Sequence, residues 1–380
     1  MSAVGVDARA SRELVTRLMD GYLSTQMVYV AVRLGIADAL SGGPRSCVDL
    51  AAIVGAVPDV LRRLLRGLVM EGLLSEEADQ RFSLTDAGRL LCADGADRAD
   101  GADGPDRAEG SEGRKSMRGA VLARGALYYR AAPGLLETMR GGGSAFRHAY
   151  GVDLFEHLAS SPEDSAIFQL SMRARSHQEA DAIAATYDFS PFQHIVDIGG
   201  GTGVTLAAIL EANPGARGTL FDRPDVAANA RTRLAAAAGA GARSGAEAAG
   251  WTERVAVVGG DFFEGVPAGG DIYILSRVLH DWDDEKAVRI LKSCRDAMSA
   301  TDATPDRSRL LIVDALLGER VHDQPAAVRM DLHMLTLFSG RERTAAEVTE
   351  LLRAARFRTG RILTPDGAPG IAIVEATPGL

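Results

Sequence analysis

The stretch VDIGGGTGV, residues 196–204, decides the fold class of this chain. An apolar strand pattern ends in a glycine-rich turn, and an apolar helical pattern, TLAAILEAN, follows the turn. In open α/β sheets, ligands bind where the carboxyl end of a strand meets the N-terminus of the next helix. The stretch therefore predicts a ligand-binding turn at the end of a parallel strand.

Outward from this turn, short β-rich runs alternate with helical segments. The candidate strands are HIVDIG, GTLFD, RVAVVGGD, DIYILS and RLLIVDALL. Such alternation is typical of a mostly parallel sheet with helices on both faces. The closing run, RFRTGRILTPDGAPGIAIVEAT, contains two strand patterns joined by a Pro/Gly turn. We predict an α/β, doubly wound, Rossmann-like sheet with an antiparallel C-terminal hairpin.

The N-terminal region has helical periodicity and ends in a turn-rich hairpin pattern, SEEADQRFSLTDAGRLL. Helices followed by a hairpin indicate a winged helix, a fold that often binds DNA. Residues 45–94, however, carry six basic and eight acidic side chains, and three of the acids lie on the wing. A duplex would be repelled there, so we predict that this mostly helical domain serves dimerisation and binds no nucleic acid.

The composition suggests four parts. We predict a winged-helix dimerisation domain at 1–92, a low-complexity insertion at 93–115, a helical linker with acceptor-pocket helices at 116–185, and the cofactor-binding domain at 186–380. The insertion consists almost wholly of Ala, Gly, Asp, Glu and Arg and has no large apolar residue.

Bulk properties exclude several classes of protein. The net charge of −9 argues against a general affinity for phosphate backbones. The three cysteines lie far apart, which predicts neither a disulfide framework nor a zinc site. The N-terminus lacks the pattern of a secretion signal, and no apolar run is long enough to span a membrane. We expect a cytoplasmic protein that does not contact membranes.

Two nucleotide cofactors compete for the glycine turn. The dinucleotide fingerprint counted from Gly199 requires glycine at 204, where this chain has Val204. Asp197 would repel a pyrophosphate but attract S-adenosylmethionine, whose amino and sulfonium groups are both cationic. Asp222 suits the ribose hydroxyls of either cofactor. Asp261 offers an acceptor for the adenine amine, and Phe262 an apolar face for the ring. We expect S-adenosylmethionine as cofactor and S-adenosylhomocysteine as its product.

Five motifs in order, VDIGGGTG, LFDRPDV, GDFFEGVP, LSRVLHDWDDEKAVRIL and DLHMLTLFSGRERTAAE, extend this interpretation. With them the chain resembles the small-molecule O-methyltransferases of the plant caffeate and hydroxyneurosporene type, including bacterial members that modify aromatic polyketides. The resemblance covers most of the chain. It implies a homodimer and a donor site formed by Asp197, Gly199, Gly201, Asp222, Asp261, Phe262, Ser276 and Arg277. It also implies a donor contact from the segment FQLSMRARS, at Met172 or Arg173.

His280, at the change from apolar to acidic residues in LSRVLHDWDDEK, is the candidate catalytic base. A phenol has a pKa of about 10, and a neutral imidazole with a pKa of about 6.5 can remove its proton during methyl transfer. The resemblance assigns this role to His280 and a supporting role to acids at Asp314 and Glu342. A capping or core histidine is the structural alternative. The acids after Trp282 are explained as helix-capping residues, so no metal is predicted.

The acceptor pocket is expected from two helical segments rich in Met and aromatic residues. The resemblance places there Phe168, Met172, Met330, His333, Met334 and Phe338, although such faces are more often core. The predicted function is methylation of a phenolic hydroxyl on an aromatic small molecule, in bacterial natural-product biosynthesis. The alternatives are a relative with a changed reaction, such as decarboxylation or hydroxylation, and a ligand-sensing winged-helix regulator.

Overall fold

The computed structural model describes residues 8–93, 116–244, 250–300, 308–366, 368 and 370–379. The insertion predicted at 93–115 falls, except for Ala93, outside the described residues. The chain divides into two compact units. The first comprises residues 1–130 and 158–174, and the second comprises residues 131–157 and 175–380. Among the described helices, none is long and apolar enough to cross a membrane.

The first unit consists of helices and a small antiparallel sheet, as the winged-helix prediction requires. Its helices are α1 (Ala8–Met19), α2 (Gly21–Arg33), α3 (Ile36–Leu40), α4 (Cys47–Val54), α5 (Pro58–Met70), α6 (Asp86–Arg89) and α7 (Arg118–Ala123). Its strands are β1 (Arg45–Ser46), β2 (Leu74–Glu76) and β3 (Arg81–Leu84), with β3 in the centre. Pro58 begins α5, and Leu61, Leu65 and Leu68 form its buried face at helical spacing.

Short helices and one long helix lead to the main sheet. They are α8 (Tyr129–Ala131), α9 (Leu135–Gly141), α10 (Ala145–Tyr150), α11 (Leu154–Ser160) and α12 (Pro162–Thr186). The part of α12 up to residue 174 belongs to the first unit and the remainder to the second.

The second unit contains the predicted α/β fold. Its strands are β4 (His194–Ile198), β5 (Arg217–Asp222), β6 (Val255–Gly259), β7 (Ile272–Ser276), β8 (Arg309–Asp314), β9 (Leu316–Leu317), β10 (Arg343–Thr344), β11 (Phe357–Leu363) and β12 (Ala372–Pro378). Its further helices are α13 (Val204–Ala212), α14 (Pro224–Ser244), α15 (Asp284–Ser299), α16 (Pro325–Leu337) and α17 (Ala345–Ala354).

The sheet order places the functional residues at one edge. Within the described residues the main sheet has seven strands in the order β11-β12-β8-β7-β4-β5-β6. Strands β4 to β8 pair in parallel, whereas β12 is antiparallel to both neighbours. Side chains of α15 and α17 pack on one face, and those of α13 and α14 on the other. The prediction of a doubly wound sheet with a C-terminal hairpin is confirmed, and all parallel strands end at the same edge.

Candidate active site at the carboxyl edge of the sheet

The glycine turn after β4 is hydrogen-bonded to the end of β5. The Gly199 amide donates to the Phe221 carbonyl oxygen at 2.7 Å, and the Gly201 amide donates to Asp222 Oδ2 at 2.8 Å. Gly199 and Gly201 have φ values of 69° and 57°, a region that glycine adopts without strain. A Cβ at Gly200 would lie 2.6 Å from Asp197 Oδ2. The turn therefore holds its backbone close to two carboxylates.

Asp197 is a buried carboxylate that lacks a partner. The side chain is 1 % exposed, and neither oxygen accepts a hydrogen bond within the described residues. Burial, and after it the charge of Asp222, raises the pKa of Asp197 to about 7. Buried polar groups in native proteins are usually paired, so an unpaired carboxylate is a candidate contact for a ligand. A cationic group such as the ammonium of S-adenosylmethionine fits the site, whereas a pyrophosphate would be repelled.

The other predicted donor residues lie along the same edge. Asp222 ends β5, and burial raises its pKa, although the Gly201 and Arg223 amides donate to it. Asp261 is exposed and accepts from the Phe263 amide at 2.8 Å. The Phe262 ring packs edge-on against Trp282, with ring centroids 5.9 Å apart. Ser276 is the last residue of β7.

His280 lies in a 3₁₀ helix, Leu279–Asp281, directly after β7. The residue is 5 % exposed. Its Nδ1 atom lies 2.8 Å from Glu342 Oε1 and 3.7 Å from Asp314 Oδ1. Glu342 is therefore its hydrogen-bonding partner, and Asp314 acts through charge. Because Nδ1 is held in this way, Nε2 is the nitrogen left for an acceptor.

The protonation state of His280 differs from the expectation of a neutral imidazole. Burial by itself lowers the pKa of His280, but Glu342, Asp314 and Asp281 outweigh it and raise the pKa to about 9. Burial also raises the pKa of Asp314. The reference value of about 6.5 applies to an exposed imidazole, whereas His280 is buried among three carboxylates. At neutral pH the resting side chain carries a proton, which it must lose before it can act as a base.

Two residues that the sequence analysis missed fix this arrangement. Arg343 is 3 % exposed and donates to the carbonyl oxygens of Leu279, the first residue of the 3₁₀ helix, and of Trp282, the residue after it. Asp331 Oδ1 accepts from the Glu342 amide at 2.9 Å. Arg343 stands beside Glu342 in the RERT motif, and Asp331 is the first residue of the motif DLHMLTLFSGRERTAAE. Both motifs were recognised, but neither residue was assigned a role.

Arg277 makes a contact that was not expected of a donor residue. Its Nε and Nη2 atoms donate to the two carboxylate oxygens of Glu179, at 3.1 and 2.6 Å. Its backbone has a φ of 58°, which costs about 1 kcal/mol or more in a residue other than glycine. The guanidinium is thus bound to α12, and Glu179 had no recognisable motif in the sequence.

The predicted acceptor residues are distributed between the two units. Met334 and Phe338 are buried at the C-terminal end of α16, and Met330 and His333 are half-buried. Phe338 packs against Phe155, with ring centroids 5.5 Å apart. Phe168 and Met172 lie on the part of α12 in the first unit. The side chain of Arg173 is outside the described residues.

The capping interpretation of the acids after Trp282 is confirmed. Asp283 Oδ1 accepts from the Lys286 amide at 2.9 Å and caps α15. Asp284 Oδ1 accepts a hydrogen bond from Arg343 Nη2 at 2.8 Å. Over the described ranges, no group of three or more His, Cys, Asp or Glu residues is placed to hold a metal ion.

Comparison with known proteins assigns the chain to a protein family. Residues 134–358 match the model of an O-methyltransferase domain, and residues 16–94 match an O-methyltransferase dimerisation domain. The chain belongs to the O-methyltransferase family. It is 39 % identical over 366 residues to a phenazine O-methyltransferase from Lysobacter antibioticus, covering 96 % of each chain. It is 36 % identical to a mitomycin biosynthesis 6-O-methyltransferase from Streptomyces lavendulae, covering 98 % of this chain and 96 % of the relative.

A solved structure of an O-methyltransferase from neocarzinostatin biosynthesis is also similar. It has 32 % identity and a TM-score of 0.73, with complete coverage of both chains, and it was solved with S-adenosylmethionine and 2-hydroxy-5-methyl naphthoic acid. The predicted family, fold and enzyme class are confirmed. S-adenosylmethionine, on which the family depends, is confirmed as the cofactor.

Proposed function

We propose that this O-methyltransferase methylates a phenolic hydroxyl of an aromatic small molecule in natural-product biosynthesis, with His280 as the base. The observation that carries the proposal is the buried His280–Glu342 contact of 2.8 Å, at the same edge of the sheet as the unpartnered carboxylate of Asp197. The relatives named above act, by their names, in the biosynthesis of aromatic natural products, and one was solved with a hydroxylated naphthoic acid.

Phenols suit the raised basicity of His280. A base with a pKa of about 9 lies close to the pKa of a phenol, about 10, so proton transfer between them is nearly balanced. Proton transfer to an imidazole with a pKa of about 6.5 would be much less favourable. We infer that His280 Nε2 takes the phenolic proton, while Glu342 holds Nδ1 and stabilises the imidazolium that forms.

The proposed donor contacts can be assigned to individual residues. When bound, S-adenosylmethionine supplies a methyl group activated by the sulfonium. We propose that Asp197 binds the donor's ammonium group and that Asp222 binds its ribose hydroxyls. Gly199 and Gly201 have no side chain, so the donor can approach their backbone closely. The other proposed contacts are Asp261, Phe262, Ser276, the backbone of Arg277, and Arg173.

The acceptor contacts are likewise proposals. Met330, His333, Met334 and Phe338 lie on or next to α16, which also carries the Asp331 that bonds Glu342. A flat aromatic ring suits this Met-rich face, because the thioether side chain adapts to irregular surfaces. Phe168 and Met172 complete the proposed set.

We further propose that the protein forms a homodimer through its first unit. The proposed domain boundaries are those predicted from the sequence, after residues 92, 115 and 185. Helix α1 has no buried residue, and Leu14, Val15, Leu18 and Met19 are each at least 47 % exposed. Such an apolar face on a soluble domain marks a protein interface. The dimerisation-domain match at residues 16–94 includes the C-terminal part of this helix.

Turnover with hydroxylated aromatics tests the proposed reaction. Purified protein is incubated with S-adenosylmethionine and a panel of hydroxynaphthoic acids and hydroxyphenazines, and methyl ethers are detected by mass spectrometry. We expect His280→Gln to lower kcat at least tenfold, because general-base catalysis contributes about 10² to 10⁴ in rate. Because the acid limb of kcat/KM follows the raised pKa, activity should rise with pH up to about 9.

His322→Gln is the matched control, since His322 is exposed. It should leave kcat unchanged, and S-adenosylhomocysteine affinity should stay within about twofold in both variants. Wild-type turnover by His280→Gln would refute the base assignment. No methyl ether from any member of the panel would refute the phenolic acceptor.

A further inference from the structure

Three buried polar atoms beside His280 lack hydrogen-bonding partners within the described residues. They are Arg277 Nη1, Asp314 Oδ1 and Glu342 Oε2. Arg277 Nη1 lies 3.8 Å from Glu342 Oε1, the same oxygen that contacts His280 Nδ1 at 2.8 Å. A cation and an imidazole thus approach a single carboxylate oxygen from two sides.

We propose that Arg277 is a positioning residue, which holds the Glu342 carboxylate turned toward His280. It acts through Glu342. The proposal deepens the methyl-transfer function proposed above and rests on it.

The position of Arg277 is fixed from two directions. Its amide donates to the Val313 carbonyl oxygen at 2.9 Å, which anchors the backbone on β8. Glu179 binds two edges of the guanidinium and leaves Nη1 directed at Glu342. Arginine presents its donors in a rigid planar fork, so a carboxylate on one side determines where the remaining donor points. The left-handed backbone at Arg277 is a strained conformation of the kind retained at functional sites.

The charges explain why such a residue is useful. Glu342 is buried, and Asp314, a second buried acid, also lies near His280, with Asp314 Oδ1 3.7 Å from His280 Nδ1. Two carboxylates in a poorly solvated interior repel each other. The positive charge of Arg277, 3.8 Å from Glu342 Oε1, attracts that oxygen and holds it where His280 Nδ1 can reach it.

Several other charged groups face this cluster, and the test must account for them. The groups that face His280 are Glu342, Asp314 and Asp281. The groups that face Arg277 are Glu179, Glu342 and Asp314. Asp331 and the neighbouring Arg343 lie near Glu342. Variants of Arg277 and Glu179 leave all the others in place.

The proposal predicts a fall in the proton affinity of His280 from two single substitutions. Arg277→Met removes the contact that turns Glu342 toward His280, so the proton affinity of His280 should fall, by about tenfold. The loss of a nearby positive charge alone would raise it. Glu179→Gln releases the guanidinium from one of its anchors and should lower the proton affinity by about threefold. Arg277→Lys keeps a charge beside Glu342 and should titrate close to wild type.

The measurement is an NMR pH titration of the protein with isotopically labelled histidines, without donor or acceptor. The His280 resonance is assigned by its loss in His280→Gln. Because no turnover is needed, the result is independent of whether the proposed reaction is correct. Glu179→Gln is nearly isosteric, which keeps the test valid if Arg277→Met fails to fold.

A distant surface pair provides the matched control. Arg353 and Glu350 form an ion pair with side chains 74 % and 64 % exposed. Arg353→Met and Glu350→Gln should leave the His280 titration unchanged. If Glu179→Gln raises the proton affinity of His280 or leaves it unchanged, the proposal is overturned. A rise in proton affinity on Arg277→Met, which a direct charge effect alone would produce, would overturn it equally.

Discussion

At the scale of single residues, burial and neighbouring charges change the chemistry that the residue types would otherwise have. Burial raises the pKa of Asp197 to about 7, whereas the surrounding acids overcome burial and raise the pKa of His280 to about 9. At neutral pH the carboxyl is therefore partly protonated and the imidazole is charged. In the proposed function, the donor's ammonium group binds at Asp197 and the acceptor's hydroxyl at His280.

The raised pKa of Asp197 predicts pH-dependent binding of S-adenosylhomocysteine. Only the ionised carboxylate attracts the ligand's ammonium group, so affinity should be high above pH 7 and fall as the pH drops below that value. The fall should approach tenfold per pH unit. Calorimetric titration at pH 6, 7 and 8 measures it. Asp197→Asn should bind weakly and show little dependence on pH over this range; a wild-type affinity in this variant would contradict the proposed contact.

At the scale of elements, the 3₁₀ helix that carries His280 depends on a glycine from another segment. A Cβ at Gly340 would lie 2.0 Å from the His280 carbonyl oxygen and 2.4 Å from the Trp282 amide nitrogen. Both atoms are backbone, so they cannot rotate away. This close approach brings the segment that carries Glu342 against the turn that carries His280.

Gly340→Ala should therefore displace the 3₁₀ helix and destabilise the protein by about 2 kcal/mol, the usual cost of overpacking. Denaturant unfolding followed by circular dichroism measures the loss. Gly215→Ala is the control, because a Cβ there meets nothing within 4 Å. Its stability should stay within about 0.5 kcal/mol of wild type. Equal stability of the two variants would show that the turn adapts and that the close approach is not required.

At the scale of the whole molecule, the proposed homodimer depends on the exposed apolar face of α1. Leu18 and Met19 are 69 % and 67 % exposed. A second copy of the chain would cover such a surface, as the dimerisation-domain match implies.

Leu18→Glu combined with Met19→Glu should convert the dimer to a monomer, because two charges would be buried without partners. Light scattering after size-exclusion chromatography measures the mass. Arg17→Glu, on the same helix, is the control and should remain dimeric. A dimer that persists in the double variant would place the interface elsewhere.

The sequence by itself determined the fold and the cofactor. The strand patterns and the glycine turn depend on local periodicity, which can be recognised in the sequence alone. A single side chain, Asp197, distinguished a cationic ligand from a pyrophosphate. The candidate base and its acid, His280 and Glu342, were found because each stands in a recognisable motif.

Only the tertiary structure decided the electrostatics of the site. Glu179, Arg277 and Glu342 are separated by about a hundred and about sixty residues, and their approach follows from how α12, β7 and the loop before β10 meet at one edge. Glu342 and Asp314 also lie at different distances from His280 Nδ1, and this difference too is set by the tertiary structure. A pKa depends on burial and on every charge nearby, and both are properties of the folded chain rather than of any local pattern.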